Sequence, residues 1–229
     1  MAGLREIRRR IRSVRSTAQI TRAMQMVAAS RMRKAQEATL TTRPFAQLLY
    51  RIQRHAVTHS LDFGHPLLTV RPVQKRAVIL VGTDRGLCGA LNTNLFRAAS
   101  QFDAATTAYI AVGKRAAQFV ARTRRELIAE FTITDSPRFA EARPIAIFAR
   151  DLFLKGEADE VVVVATRYIN TMTQEPAVAE FLPIGEIKSL KIPGAYPDPG
   201  AAIPDIVFEP NANAVLSYLF GFYLNILLY

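Results

Sequence analysis

Two places in the 229-residue sequence gather residue types that could do chemistry. The first is the glycine-rich stretch Gly82-Thr-Asp-Arg-Gly-Leu-Cys-Gly-Ala-Leu-Asn92, which follows an apolar strand pattern and precedes a helical one. Open parallel sheets bind ligands at such turns, and its glycines would let the backbone approach a phosphate. The spacing is neither Gly-x-Gly-x-x-Gly nor a P-loop, and no Lys-Ser/Thr pair follows. The turn therefore reads as a tight structural element in which Gly86 and Gly89 supply backbone angles that other residues avoid. Cys88 could be activated by a helix N-terminus. No histidine pairs with it in sequence, and a lone cysteine between Leu87 and Gly89 reads as a small buried apolar residue. The second place holds all three histidines, His55, His59 and His65. His55 and His59 lie four apart on one helix face, a spacing that suits a metal. No Glu stands between them and the nearby carboxylate is Asp62 alone, so they read as a solvated pair. A single cysteine excludes an internal disulfide framework and a cysteine-built zinc site. With no serine nucleophile elbow, the expectation is no catalytic residue, no cofactor and no metal.

Charge is more informative than chemistry. Residues 1–60 hold thirteen of the 30 Lys and Arg but only two of the 19 Asp and Glu, namely Glu6 and Glu37, so the entire formal charge of +11 resides there. The rest of the chain is electrically neutral. A segment of that kind seeks an acidic partner: nucleic acid, anionic lipid or an acidic protein surface. Half the residues are hydrophobic, which excludes a wholly disordered chain.

The elements that carry these residues can be read from periodicity. Leu4, Ile7, Ile11, Val14, Ala18 and Thr21 recur at alternating steps of three and four, a heptad seam. Ile20, Met24 and Val27 continue it on a neighbouring stripe, consistent with a stutter. Forty residues of helix span about 60 Å, too long to bury the stripe against a small body, so this helix needs a partner helix. Pro44 marks a first-turn position or a kink, after which the pattern resumes to Val57. The predicted organisation is a shaft helix over 1–60, a linker over 61–75, an α/β domain over 76–191, a proline-rich linker over 192–210 and a final helix over 211–229 capped by Asn211 or Asn213.

Within the α/β domain, strands are predicted over 76–82, 108–112, 127–132, 160–168 and 177–183, with helices over 91–102, 114–124 and 138–155. The four valines within Glu160–Tyr168 suggest burial on both faces, and Pro183 places the last strand at an edge. Strands alternating with helices imply a mainly parallel, Rossmann-like sheet with right-handed crossovers. The final helix is apolar nearly all round. Ser217, Gly221 and Asn225 and the lack of a basic flank favour packing against the sheet domain over a membrane span.

Three stretches together make the chain resemble the gamma subunit of F-type ATP synthases. They are Leu4–Val14 with Ser16–Ala35, the turn Thr83–Asn92, and Phe208-Glu-Pro210 at the opening of the last helix. In the turn, the residues that carry the match are Asp84, Arg85, Gly86, Cys88, Gly89 and Asn92. The resemblance is collinear over essentially the whole chain. It implies a non-catalytic central-stalk rotor, turned by proton flow through the c-ring. The long N-terminal helix would pair antiparallel with a C-terminal helix, and this coiled coil would stand inside a hexamer of alternating alpha and beta subunits. The sheet domain would contact the epsilon subunit and the membrane c-ring. The shaft seam would be Leu4, Ile7, Ile11, Val14, Ala18, Thr21 and Met24. Arg22, Arg31, Arg33 and Lys34 would face an acidic loop of the beta subunits, with Arg8, Arg9 and Arg12 near the upper bearing. The location implied is the cytoplasmic face of a bacterial inner membrane, peripherally attached. The family's C-terminal helix continues well past the point matching Tyr229, so the expectation is a fragment or shortened gene product whose seam lacks its partner helix.

Two other readings compete. A nucleic-acid-binding protein would use the basic helix. Basic and apolar positions interleave along it, however, instead of a basic block preceding a zipper, and few aromatics accompany the charges. An enzyme with a nucleotide-dependent Rossmann-type domain would use the turn at 82–92.

Overall fold

A computed structural model describes residues 2–59, 65–134, 137–184 and 212–228. The chain divides into two compact units, Met1–Phe45 and Ala46–Tyr229. Helix α1, Ala2–His59, runs without interruption through Pro44. Ala, Arg, Gln, Met and Leu dominate its first forty residues and are the strongest helix formers. The hydroxyls of Thr17 and Thr21 are tied back to the carbonyls of Ser13 and Thr17, each at 3.0 Å, which satisfies them within the helix. Every described side chain from Gly3 to Ala38 is exposed except Gln36, which is half-buried.

The second unit holds a five-stranded sheet in the order β3-β2-β1-β4-β5. Its strands are β1 Arg76–Val81, β2 Thr107–Val112, β3 Glu126–Phe131, β4 Glu160–Tyr168 and β5 Gln174–Leu182. The first four are parallel and β5 runs antiparallel to β4 at the edge. Helices α2 Leu91–Ala99 and α3 Lys114–Arg122 connect β1 to β2 and β2 to β3. Helix α4, Phe139–Leu154, carries the chain back to β4 on the other side of β1. This is the doubly wound pattern, Rossmann-like as its sequence indicated.

Strand alternation sorts the core into two layers. Val78, Leu80, Tyr109, Ala111, Val162 and Val164 pack with Leu95 and Ala99 of α2 and Ala116, Phe119 and Val120 of α3. Ala77, Ile79, Ile110, Val112 and Val161 face Ile145, Ala149 and Phe153 of α4. Helix α5, Ala212–Leu228, adds Phe220, Tyr223 and Leu224 to this second layer. The final helix is thus packed on the sheet domain. Among the described residues, no helix is long and apolar enough to cross a membrane.

Two element limits differ from expectation by three residues, for identifiable reasons. Helix α2 stops at Ala99 and not at 102, because the Arg125 guanidinium draws in the carbonyls of Ser100 and Phe102 at 2.9 Å each, together with the Tyr109 hydroxyl at 2.7 Å. Strand β5 starts three residues early, at Gln174, and includes Pro176. An edge strand tolerates proline because one side of its backbone needs no donor.

Candidate functional site

The apolar and basic residues of α1 form one candidate surface. Leu4, Ile7, Ile11 and Val14 are between 48% and 68% exposed, and Ala18, Thr21 and Met24 follow them on the exposed helix. Ile20 and Val27 are likewise exposed on the neighbouring stripe. Helical geometry sets Arg8 and Arg15 on one flank of the seam, Arg10 on the other and Arg9 opposite. The four residues assigned to acidic contacts do not form one patch. Arg22 and Arg33 are eleven residues, about three turns, apart and share a side. Arg31 falls on the opposite side, with Lys34 between. All four are exposed.

The turn after β1 is a different kind of structure. Its polar groups are spent on one another and on α3. Asn92 donates through Nδ2 to the Thr83 hydroxyl at 2.7 Å and to Cys88 Sγ at 3.3 Å. The Thr83 hydroxyl donates to the Arg85 carbonyl at 2.6 Å. The backbone N–H of Arg115 donates to the Thr83 carbonyl at 3.0 Å. Asp84 Oδ1 accepts the N–H of Lys114 at 2.8 Å, a cap supplied from a neighbouring loop because Gly113, the N-cap residue itself, has no side chain. The carboxylate also meets the positive end of the α3 dipole.

Gly82 and Gly113 make this close approach possible. Gly113 has φ +91, and a Cβ there would lie 2.6 Å from the Gly82 carbonyl oxygen. A Cβ on Gly82 would sit 3.1 Å from the Cβ of Ala116. The N-terminus of α3 is therefore faced by a carboxylate and a carbonyl oxygen, both of which repel a phosphate. A phosphate is thereby disfavoured at the α3 N-terminus.

Two expectations for the turn need correction. Gly89 has φ +60, as expected, but Gly86 does not adopt a positive φ; Leu87 does, at φ 62, with its side chain 95% exposed. Leu87 at the tip takes the left-handed angle, and a Cβ at Gly86 would meet only the end of the Arg115 side chain, at 3.4 Å, an ordinary contact. Cys88 is half-buried and accepts a hydrogen bond; it is not a buried apolar residue. Sequence reasoning also passed over Gly113, whose place between a strand pattern and a helix pattern was the available signal.

The metal reading falls differently for each histidine. The side chains of His55 and His59 lie outside the described residues. His65 caps a short 3-10 turn, Pro66–Leu68, its Nδ1 accepting the N–H of Leu67 at 3.2 Å. Burial lowers its pKa below the ordinary 6.5, which keeps Nδ1 available as an acceptor. Among the described residues, no group of three His, Cys, Asp or Glu could hold a metal ion. The Phe208-Glu-Pro210 motif and Asn211 lie outside the described residues.

The family model described as ATP synthase matches residues 3–229. An ATP synthase gamma chain from Opitutus terrae is 39% identical, over 98% of this chain and 78% of that relative. The gamma chain of Methylacidiphilum infernorum is 37% identical over the same shares, and that of Cupriavidus necator is 37% identical over 100% of this chain and 80% of its own length. Among solved structures, a chain of the Tetrahymena thermophila mitochondrial ATP synthase central stalk and c-ring shares the fold, with a TM-score of 0.62 at 18% identity, covering 91% of this chain and 89% of that one. The nucleic-acid reading finds no support in these matches. By sequence over nearly its full length, and with a fold to match, the chain belongs to the ATP synthase gamma chain family.

Proposed function

We propose that this chain is the non-catalytic central-stalk rotor of a proton-translocating ATP synthase, held peripherally at the cytoplasmic face of a bacterial inner membrane. The observation that carries the reading is the exposed seam of α1 set among arginines. Burying a side chain such as Ile11 or Val14 recovers about 1.5–3 kcal/mol. A second helix laid along seven such positions gains on the order of 10 kcal/mol before the cost of association. The seam residues Leu4, Ile7, Ile11, Val14, Ala18, Thr21 and Met24 are where the two helices meet.

The distribution of charge around α1 also favours an axle. A helix docked on one static surface needs cations on one side, whereas a shaft surrounded at once by three beta subunits faces an acidic surface on every side and needs them all round. Arg22 and Arg33 on one side, Arg31 on the other and Lys34 between meet that need, and an acidic loop of each beta subunit is the matching surface. The alpha and beta subunits surround the shaft, while the sheet domain meets the epsilon subunit and the c-ring. Catalysis belongs to the hexamer, a division supported by the way the 82–92 turn consumes its own polar groups. Replacing Arg33 and Lys34 together by Glu tests the assignment: ATP synthesis driven by a proton gradient falls while the complex still assembles. Full coupled synthesis in that double variant refutes it.

A further inference from the structure

The chain beyond residue 60 is electrically neutral only as a whole. Residues 82–125, which supply β2 and the helices α2 and α3 packed on one side of the sheet, contain seven Arg and Lys against two acids, Asp84 and Asp103. That side carries +5, balanced by an equal negative charge spread over the rest of residues 61–229. Helices α2 and α3 themselves hold Arg97, Lys114, Arg115 and Arg122 and no acid, and Arg124 follows α3 closely. All five are exposed. The two acids are engaged with backbone and neighbouring hydroxyl groups. Asp84 accepts the N–H of Lys114, and Asp103 accepts the N–H of Ala105 at 3.1 Å and the Thr106 hydroxyl at 3.5 Å. Among the described residues, Arg97, Lys114, Arg122 and Arg124 enter no ion pair. Arg97 and Arg122 lie in the last turns of their helices, where the helix dipole favours a cation. Lys114 and Arg115 lie in the first turn of α3, which has no acid of its own and where the dipole repels them. Local stability does not call for that pair. Lys114, Gln118 and Arg122 form one row at four-residue steps, about 12 Å long. The stack of Phe96 on Phe119, with centroids 4.5 Å apart, holds α2 against α3 beside that row.

We infer that the outer face of α2 and α3 is a docking surface for an acidic helix of a second subunit of the complex. The inference deepens the rotor reading above and rests on it. Charge complementarity selects the occupant. Carboxylates at four-residue steps share one face of a helix, and such a face matches the row Lys114, Gln118 and Arg122, with Arg97 and Arg124 on the same side of the sheet. The exposed Ala121 and half-buried Ala98 leave room for a helix backbone to approach. A helix lying in a lipid surface presents large apolar side chains to it, and on α2 and α3 none is exposed. No exposed aromatic ring on these helices could stack with bases either. Helices α4 and α5 occupy the opposite side of the sheet, so a partner seated on α2 and α3 does not compete with the terminal helix.

The test uses the assembled ATP synthase containing the full chain, with Gln118 replaced by the photo-crosslinker p-benzoylphenylalanine and Ala121 as a second probe position. Irradiation yields an adduct with one other subunit, through a segment in which Asp and Glu outnumber Lys and Arg. Combining Arg97→Glu, Arg122→Glu and Arg124→Glu in the same chain lowers the yield of that adduct about tenfold, since each exposed ion pair contributes a factor of about 1.5–5. The corresponding triple change to Gln removes the charges without reversing them and lowers the yield less; it decides the matter should the Glu chain fail to fold. The same crosslinker at Arg143, exposed on α4, gives no adduct with that segment. Absence of a protein adduct at both probe positions, an adduct with lipid or nucleic acid alone, attachment to a segment that is not acidic, or a yield unchanged by the substitutions overturns the inference while the rotor reading stands. Failure of the unsubstituted chain to co-purify with the alpha and beta subunits refutes the rotor reading, and this inference with it.

Discussion

Substituting Gly113 by Ala should be among the most damaging single-methyl additions in the sheet domain, and its cost can be worked out. The residue sits at φ 91 and ψ 148, a region essentially reserved for glycine, where another residue is strained by about 1–3 kcal/mol. The added Cβ would lie 2.6 Å from the Gly82 carbonyl oxygen and 3.2 Å from its carbon. Both are backbone atoms that cannot swing away, so overpacking adds about 1–3 kcal/mol more. The sum is about 4 kcal/mol, a large part of the ~5–15 kcal/mol by which a domain is stable. Gly89 provides the control. It also has a positive φ, +60, but a Cβ there meets nothing within 4 Å, so Gly89→Ala costs only the left-handed conformation, about 1–2 kcal/mol. For a domain of this size each kcal/mol moves the midpoint by about 2–4 °C. Gly113→Ala should therefore unfold roughly 10 °C or more below the unsubstituted chain, and Gly89→Ala only about 2–8 °C below. Thermal unfolding followed by near-UV circular dichroism reads the domain selectively, because Tyr109 is fully buried in its core. A Gly113→Ala midpoint no lower than that of Gly89→Ala would refute the argument that the turns after β1 and β2 are pressed together.

Removing the cap with Asp84→Ala frees the Lys114 N–H and should cost about 1 kcal/mol, read as a small drop in the urea midpoint. ATP and ADP should leave the melting temperature unshifted in the unsubstituted chain, and a rise with either would reinstate the nucleotide reading. His65 has a folded pKa below 6.5 because it is partly buried, so the unfolded chain binds the extra proton more readily. Its contribution to stability is complete above about pH 6.5 and is lost as pH falls from there towards the folded value. Denaturant titrations should show that decline in the unsubstituted chain and a flatter profile in His65→Asn. Asp159 gives a second, more acidic limb: the N–H groups of Lys75 and Gln74 hold its carboxylate below the ordinary range. Stability from that pinning is present above the ordinary carboxylate pKa and is lost as pH falls through the lowered one. Asp159→Asn should remove that limb.

Much of the fold is legible because its signals are local and agree. The run Arg76–Val81 can hardly be anything but a strand buried on both faces, and its alternation sorts Ala77 and Ile79 from Val78 and Leu80 into the two layers seen. The long N-terminal helix was legible for the same reason, an apolar helical period continued over several turns. What escaped depends on tertiary partners. Nothing in the spacing of Asp84 and Lys114, thirty residues apart, announces a helix cap delivered from another loop. His65 looked like a third member of a histidine cluster, yet its partner Phe220 is far along the chain. Arg125 ends α2 from across the domain, so no local propensity marks that boundary. Glycine preference reports only what is permitted, and the exposed Leu87 takes the positive φ that it assigned to Gly86.

The account stands or falls on α1 being an axle within an acidic collar. The direct measurement is purification through a tag on the beta subunit after co-expression of this chain with the alpha and beta subunits of the same ATP synthase, with DNA present as competitor. The chain should elute in stoichiometric complex with the hexamer and without DNA, and the Arg33→Glu, Lys34→Glu chain should still co-elute but be retained less firmly at low salt, the difference from the unsubstituted chain shrinking as salt rises. Elution of the chain apart from the hexamer, bound to DNA with a steep dependence on salt, would contradict it.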